Sequence, residues 1–122
     1  MAYHATKAAK VFDDTLSTTP PEDERRIFLD TLSSANFAIH AEWDGNATAT
    51  FSLWATNKFE ANRTDLSDDD FVEDTAVSLP ATGGAPGKWF IELGNSGARA
   101  YMLKVVTTGG TSNLKVFFNA KN

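Results

Sequence analysis

The chain has 122 residues, no cysteine and a formal net charge of −5, with 42% hydrophobic and 11% aromatic residues. This composition is typical of a folded globular chain, and the length suits one domain. Without cysteine, disulfides, thiolate metal sites and a cysteine nucleophile are excluded. The acidic balance argues against a nucleic-acid partner, because such affinity comes mostly from Lys and Arg neutralising phosphates. No apolar run approaches the roughly 20 residues that cross a membrane, and the N-terminus lacks the apolar stretch of a secretory signal.

The N-terminal 26 residues differ from the rest of the chain. Residues 17–26 are polar and interrupted by Pro20 and Pro21, and such a segment buries too little apolar area to order itself. We therefore predict an extended N-terminal arm over residues 1–26 and a β-sandwich domain over residues 27–122. We expect the arm to dock on a neighbouring subunit or a larger shell through Val11, Phe12 and Leu16. The alternative is that the arm runs along its own sheet as an edge strand.

From residue 27 onwards, apolar residues alternate with polar ones, which is the period of a half-buried β-strand. The pattern is clearest over residues 37–43, 49–55, 89–93 and 114–120, and shorter strands are predicted over residues 27–29, 71–72, 76–79 and 98–108. Asp44-Gly45-Asn46 and Gly109-Gly110 are turn signals, the first typical of a hairpin. The fold class predicted is all-β: a single antiparallel β-sandwich or jelly roll.

The alternation also predicts which side chains are exposed. Trp43, Phe51 and Trp89 fall on the inward faces of their strands. Four large apolar residues fall on the outward faces, and together they could form one association surface: Trp54, Phe90, Met102 and Phe117. The alternative is that a β-bulge turns some of them inward.

Catalytic and metal-binding patterns are weak. The chain has two histidines, His4 and His40, and we interpret His40 as a solvated or interface residue of an outward strand face. The acidic residues between Asp65 and Asp74 could supply oxygen ligands for Ca²⁺, but their spacing favours a solvated loop that blunts a sheet edge. We therefore expect no enzyme, no cofactor and no metal site.

Several segments together resemble the small β-sandwich structural proteins of tailed bacteriophages. They are residues 42–57, with Trp43 and Leu53-Trp54, the acidic stretch ending in Phe71, the stretch 94–104 around Arg99 and Tyr101, and the closing Gly109-Gly110 strand. The resemblance covers about residues 35–121. It implies a non-enzymatic virion protein made in the host cytoplasm, most of all a capsid decoration protein. Its partner would be the major capsid protein or another virion protein on the outer head surface, which it would bind and stabilise as a homotrimer.

Two alternatives remain open at this point. Jelly rolls often bind carbohydrate through exposed aromatic rings, for which Trp54 and Trp89 are the candidates. A tail- or neck-associated adhesion protein would also fit the resemblance.

Overall fold

The computed structural model describes residues 7–30, 36–58, 68–94 and 100–121. They form eight strands and one short 3₁₀ turn at Asp68–Asp70. The strands are β1 (Lys7–Leu16), β2 (Glu24–Asp30), β3 (Asn36–Trp43), β4 (Thr48–Thr56), β5 (Val72–Glu73), β6 (Gly87–Leu93), β7 (Ala100–Gly109) and β8 (Ser112–Lys121). Within these ranges, no helix is long and apolar enough to cross a membrane.

The eight strands make two four-stranded antiparallel sheets. The first sheet has the order β1-β8-β3-β6 and the second has the order β2-β7-β4-β5. Two sheets of four strands in this order form a jelly roll, so the predicted fold class is confirmed.

The core lies between the inner faces of the two sheets, as the alternation of apolar residues predicts. β3 buries every second side chain, from Phe37 to Trp43, and β8 does the same from Ser112 to Ala120. β4 contributes Ala49, Phe51 and Leu53 from the opposite sheet. The predicted inward positions of Trp43, Phe51 and Trp89 are confirmed, since each is at most 8% exposed.

The N-terminal segment is not a separate arm. β1 pairs with β8 from Lys7↔Ala120 to Leu16↔Ser112, with one irregularity between Lys10 and Phe12. A turn with a cis Pro20–Pro21 peptide follows, and β2 begins at Glu24, before the domain boundary predicted at residue 27. The prediction of an extended arm is therefore wrong for residues 7–26, and the edge-strand alternative is the arrangement observed. Residues 1–6 lie outside the described ranges.

Arg25 holds β1 against the second sheet. Its guanidinium lies 2.7 Å from the Asp14 carboxylate and 4.9 Å from the ring centroid of Phe12. Arg25 belongs to β2, whereas Asp14 and Phe12 belong to β1. One side chain therefore joins an edge strand of each sheet.

The two predicted turns are corners between the sheets. Asp44-Gly45-Asn46 leads from β3 in the first sheet to β4 in the second, so the predicted hairpin is wrong, and Gly109-Gly110 leads back from β7 to β8. The two corners are hydrogen-bonded to each other. The Asn46 amide donates to the Thr111 carbonyl (2.9 Å), and the Thr111 amide donates to Asn46 Oδ1 (3.0 Å). The predicted strand over residues 76–79 is an irregular segment instead.

Candidate binding surface

An aromatic row crosses the outer face of the first sheet. The strand register places Phe117 of β8 beside His40 of β3, and His40 beside Phe90 of β6. The His40 ring centroid lies 5.4 Å from that of Phe117 and 6.3 Å from that of Phe90. Lys10 of β1 pairs with Phe117 and continues the row to the sheet edge. Phe90 is 61% exposed, which is unusual for a phenyl ring.

A shallow depression of about 360 Å³ lies beside the aromatic row. It forms because the neighbouring position of β3 is Ala38, whose small side chain leaves room between Phe90 and Phe117. Lys10 and Asn119 are also among the residues that line it. The depression therefore combines aromatic rings with polar side chains.

A row of charges runs parallel to the aromatic row. Asp13 pairs with Lys115, Lys115 with Glu42, and Glu42 with Lys88, so that the sign alternates across all four strands of the first sheet. Alternating charges on one face favour a defined orientation of a partner more than they add affinity.

Asp13 is held ionised at the β1 end of the charge row. Lys10 Nζ donates to Asp13 Oδ2 (2.7 Å) and Asn113 Nδ2 donates to Asp13 Oδ1 (3.0 Å). The hydrogen bond from Lys10, followed by that from Asn113, lowers the pKa of Asp13 below its ordinary value of 3.8. A hydrogen bond from Arg25 in the same way lowers the pKa of Asp14.

The three residues expected to dock the arm have other positions. Leu16 is fully buried in the domain's own core, and Phe12 is half-buried against that core. Val11 lies on the edge strand with 37% of its surface exposed. The prediction that they enter a groove of a neighbour is wrong for Leu16 and Phe12, because their own sandwich already covers them.

The four outward residues do not form one patch. Phe90 and Phe117 lie on the first sheet, whereas Trp54 and Met102 are neighbours on the second. Met102 is 1% exposed, because the segment after the 3₁₀ turn brings Phe71 over it. The prediction of an exposed Met102 is therefore wrong, and the cause is a covering segment rather than a β-bulge.

Neither tryptophan proposed for sugar stacking is an open, exposed ring. Trp89 is buried in the core. Lys104 Nζ lies 4.3 Å from the ring centroid of Trp54, and the Trp54 indole N–H donates to Ser52 Oγ (2.9 Å). A sugar ring would have to displace Lys104 to stack on Trp54.

The acidic stretch gives no metal centre within the described ranges, where no group of three or more His, Cys, Asp or Glu side chains could hold an ion. Asp70 forms an ion pair with Lys58 (2.7 Å), and Asp74 Oδ1 accepts from the Ala76 amide (3.2 Å). Asp65 lies outside those ranges, as does His4.

Sequence reasoning found Phe90 and Phe117 and placed His40 on an outward face, but it missed that the three are neighbours. It also missed Lys10 and Ala38, which complete the row and the depression. Alternation along each strand shows which face a side chain occupies and carries no information on which strand lies beside it.

No family model matches the chain, and no curated protein matches it. Among solved structures, the chain is similar to the K1 cleaved adhesin domain of Lys-gingipain from Porphyromonas gingivalis W83, with 12% sequence identity and a TM-score of 0.41. The match covers 80% of this chain and 63% of that one, so the chain spans less than two thirds of that domain's length. At this TM-score the likeness supports no functional inference.

Proposed function

We propose that this chain is a non-enzymatic structural protein of a bacteriophage virion, which decorates the head as an oligomer and binds the major capsid protein through the outer face of the first sheet. The observation that supports this proposal most is the aromatic row of Phe117, His40 and Phe90 on an otherwise polar sheet face. The resemblance of residues 35–121 to phage β-sandwich proteins supplies the class of partner.

The geometry suits a weak contact repeated many times. A row of three rings on one sheet face buries a limited apolar area, which stabilises a contact by about 25 cal/mol per Å² removed from water. One copy would therefore bind modestly, while an oligomer on a repeating lattice would hold by avidity. The adjacent charge row of alternating sign would set the orientation of each copy on the shell.

The experiment has two stages. Mass spectrometry of purified virions, before and after a mild chaotrope, measures whether the protein is a releasable component of the particle. Recombinant wild type, Phe117→Ser and Phe28→Ser are then added back to stripped particles. Phe28 is the matched control, because it is a partly exposed phenylalanine on the outer face of the second sheet.

We expect the wild type and Phe28→Ser to rebind equally, and Phe117→Ser to bind at least about tenfold more weakly, equivalent to about 1.4 kcal/mol. Absence of the protein from virions would overturn the proposal. If both variants rebind equally, the protein is still a virion component, but the outer face of the first sheet is not the surface that binds the capsid.

Carbohydrate binding is the second candidate, and one observation favours it: polar side chains line the depression together with Phe90 and Phe117. Rings beside hydrogen-bond donors are the groups that hold a sugar. A glycan array followed by titration of any hit into Phe117→Ser separates the two functions. Two results together would favour carbohydrate binding. The wild type would bind a glycan saturably and Phe117→Ser would not, and the wild type would fail to bind stripped particles.

A further inference from the structure

Among the strands that the structure describes, three of the four sheet edges are protected against pairing with another chain. β1 has an irregular register between Lys10 and Phe12, and β2 begins with the charged run Glu24-Arg25-Arg26. β5 has only two residues. Irregularities, charges and short length are the devices by which edge strands avoid association.

β6 is the exception. It has seven residues, and its register with β3 runs without interruption from Phe37↔Leu93 to Trp43↔Gly87. Among the described strands it pairs with β3 alone. Its central residues, Trp89, Phe90 and Ile91, carry no charge. A regular edge of this length, with charges only at Lys88 and Glu92 on either side of an uncharged centre, can accept a further strand.

The sequence of β6 is complementary to itself. In an antiparallel pair of two copies centred on Phe90, Lys88 of each copy lies opposite Glu92 of the other, and Phe90 lies opposite Phe90. Trp89 lies opposite Ile91 on the inner face, and Gly87 opposite Leu93. Because Phe90 is the midpoint of Gly87–Leu93, this register also pairs the strand over its full length.

We propose that β6 is the interface of a two-fold homodimer, in which the first sheets of two copies join edge to edge into one eight-stranded sheet. The occupant of the free edge is a second copy of this chain, and the charge complementarity of Lys88 and Glu92 selects the register. The pairing is two-fold, so it makes a dimer and not the trimer that the phage resemblance implies.

Other registers lose this complementarity. Directly opposite residues of an antiparallel pair point to the same face of the sheet. The two-fold axis must therefore pass through a residue and not between two residues, so that the inner faces of both copies lie on the same side. In the middle of β6 this residue can be Trp89, Phe90 or Ile91. A centre on Trp89 places Lys88 opposite Phe90, and a centre on Ile91 places Glu92 opposite Phe90. Only the centre on Phe90 brings opposite charges together.

The dimer explains the exposure of β6 side chains. Phe90 is 61% exposed in the single chain and would gain an aromatic neighbour across the two-fold axis. Ile91 and Leu93 are only partly buried at the margin of the core and would gain contacts on the inner face. The two aromatic rows would then form one continuous row. The β6 pairing would form with or without a virion role.

A charge exchange tests the interface and its register. The dimer has two symmetric contacts, each between residue 88 of one copy and residue 92 of the other. In a dimer of Lys88→Glu, each contact brings two glutamates together. In a dimer of Glu92→Lys, each contact brings two lysines together. A mixture of the two variants can form a heterodimer in which each contact pairs Glu with Lys. The double variant Lys88→Glu/Glu92→Lys restores opposite charges within its own dimer.

Oligomeric state is measured by analytical ultracentrifugation over a concentration series, with Lys115→Glu as the control. Lys115 lies on the same face but on β8, which has a neighbour on both sides. We expect a wild-type dimer, and for each single variant a dimer dissociation constant raised at least about tenfold, since like charges directly opposite each other destabilise a strand pair. The mixture, the double variant and Lys115→Glu should dimerise like the wild type.

A monomeric or trimeric wild type would overturn the proposal. So would single variants that dimerise as tightly as the wild type, or a mixture that stays monomeric. Hydrogen exchange gives a second measurement, because amides of β6 should exchange more slowly in the wild-type dimer than in either single variant. A wild-type dimer that does not bind stripped particles would contradict the virion proposal alone.

Discussion

Trp43 and Trp89 contact the same phenyl ring, but within the described parts of the chain only Trp43 has a partner for its indole N–H. Their ring centroids lie 5.7 and 5.3 Å from that of Phe51, and each residue is 8% exposed. Trp43 Nε1 donates to the carbonyl of Ala85 (2.8 Å), which ties the loop before β6 to the core. Trp89 Nε1 is buried and has no hydrogen-bond partner within the described residues.

This asymmetry predicts that Trp43→Phe destabilises the protein more than Trp89→Phe does. Both substitutions remove part of a buried ring, but the first also loses a hydrogen bond, whereas the second removes a buried N–H that costs about 1–3 kcal/mol when unsatisfied. Urea unfolding should therefore separate the two variants by at least about 1 kcal/mol. Equal losses, or a larger loss for Trp89→Phe, would contradict this interpretation of the two indoles.

Gly110→Ala should be more damaging than Gly83→Ala, although both glycines have the same left-handed backbone. Their φ angles are +69° and +68°, so each substitution costs about 1–2 kcal/mol in backbone strain. A Cβ on Gly110 would in addition collide with the backbone carbonyl of Asn46, whereas a Cβ on Gly83 meets no atom within 4 Å.

Thermal melting of the two glycine variants provides the comparison. A melting temperature for Gly110→Ala well below that of Gly83→Ala is expected. If the two variants have the same melting temperature, the close approach of Gly110 to Asn46 adds nothing to the loss of stability caused by backbone strain.

Leu16→Ala should cost about 2–5 kcal/mol, because Leu16 is a fully buried core residue of an integral strand. The neighbouring Thr15→Ala is the control, since Thr15 is exposed and its loss should stay within about 0.5 kcal/mol. Chemical denaturation measures both. A Leu16→Ala variant as stable as the wild type would show that β1 is dispensable for the sandwich, as an independent arm would be.

Acid should weaken the attachment of β1. The pKa values of Asp13 and Asp14 lie below the ordinary 3.8, chiefly because Lys10 and Arg25 donate hydrogen bonds to them. A carboxyl whose pKa is lower in the folded state stabilises the fold above its unfolded value, and that contribution is lost as the pH falls through the folded value.

The double variant Asp13→Asn/Asp14→Asn isolates this effect from the other carboxylates. The free energy of unfolding of the wild type should fall more steeply below pH 3.8 than that of the double variant. The difference should be modest, because both carboxylates are exposed to solvent and screened by it. Parallel pH profiles would contradict the role assigned to Lys10 and Arg25.

The sequence by itself determined the properties that depend on neighbouring residues along the chain. Alternation in residues 37–43 and 114–120 predicted which side chains enter the core, and Gly45 and Gly110 marked the positions of turns, although not that these turns join the two sheets. These signals are local, since successive side chains of a strand must point to opposite faces and a left-handed turn favours glycine. The all-β class followed from them.

The tertiary structure decided which strands are neighbours. β1 pairs with β8 from the other end of the chain, and no periodicity in residues 7–16 indicates that partner, so the segment resembled a free arm. Trp54 and Phe90 had the same outward signal but lie on opposite sheets, and Met102 is covered by Phe71, which is distant in sequence. The aromatic row and the free edge of β6 depend on such long-range pairings, because strand order is set by packing the whole sandwich.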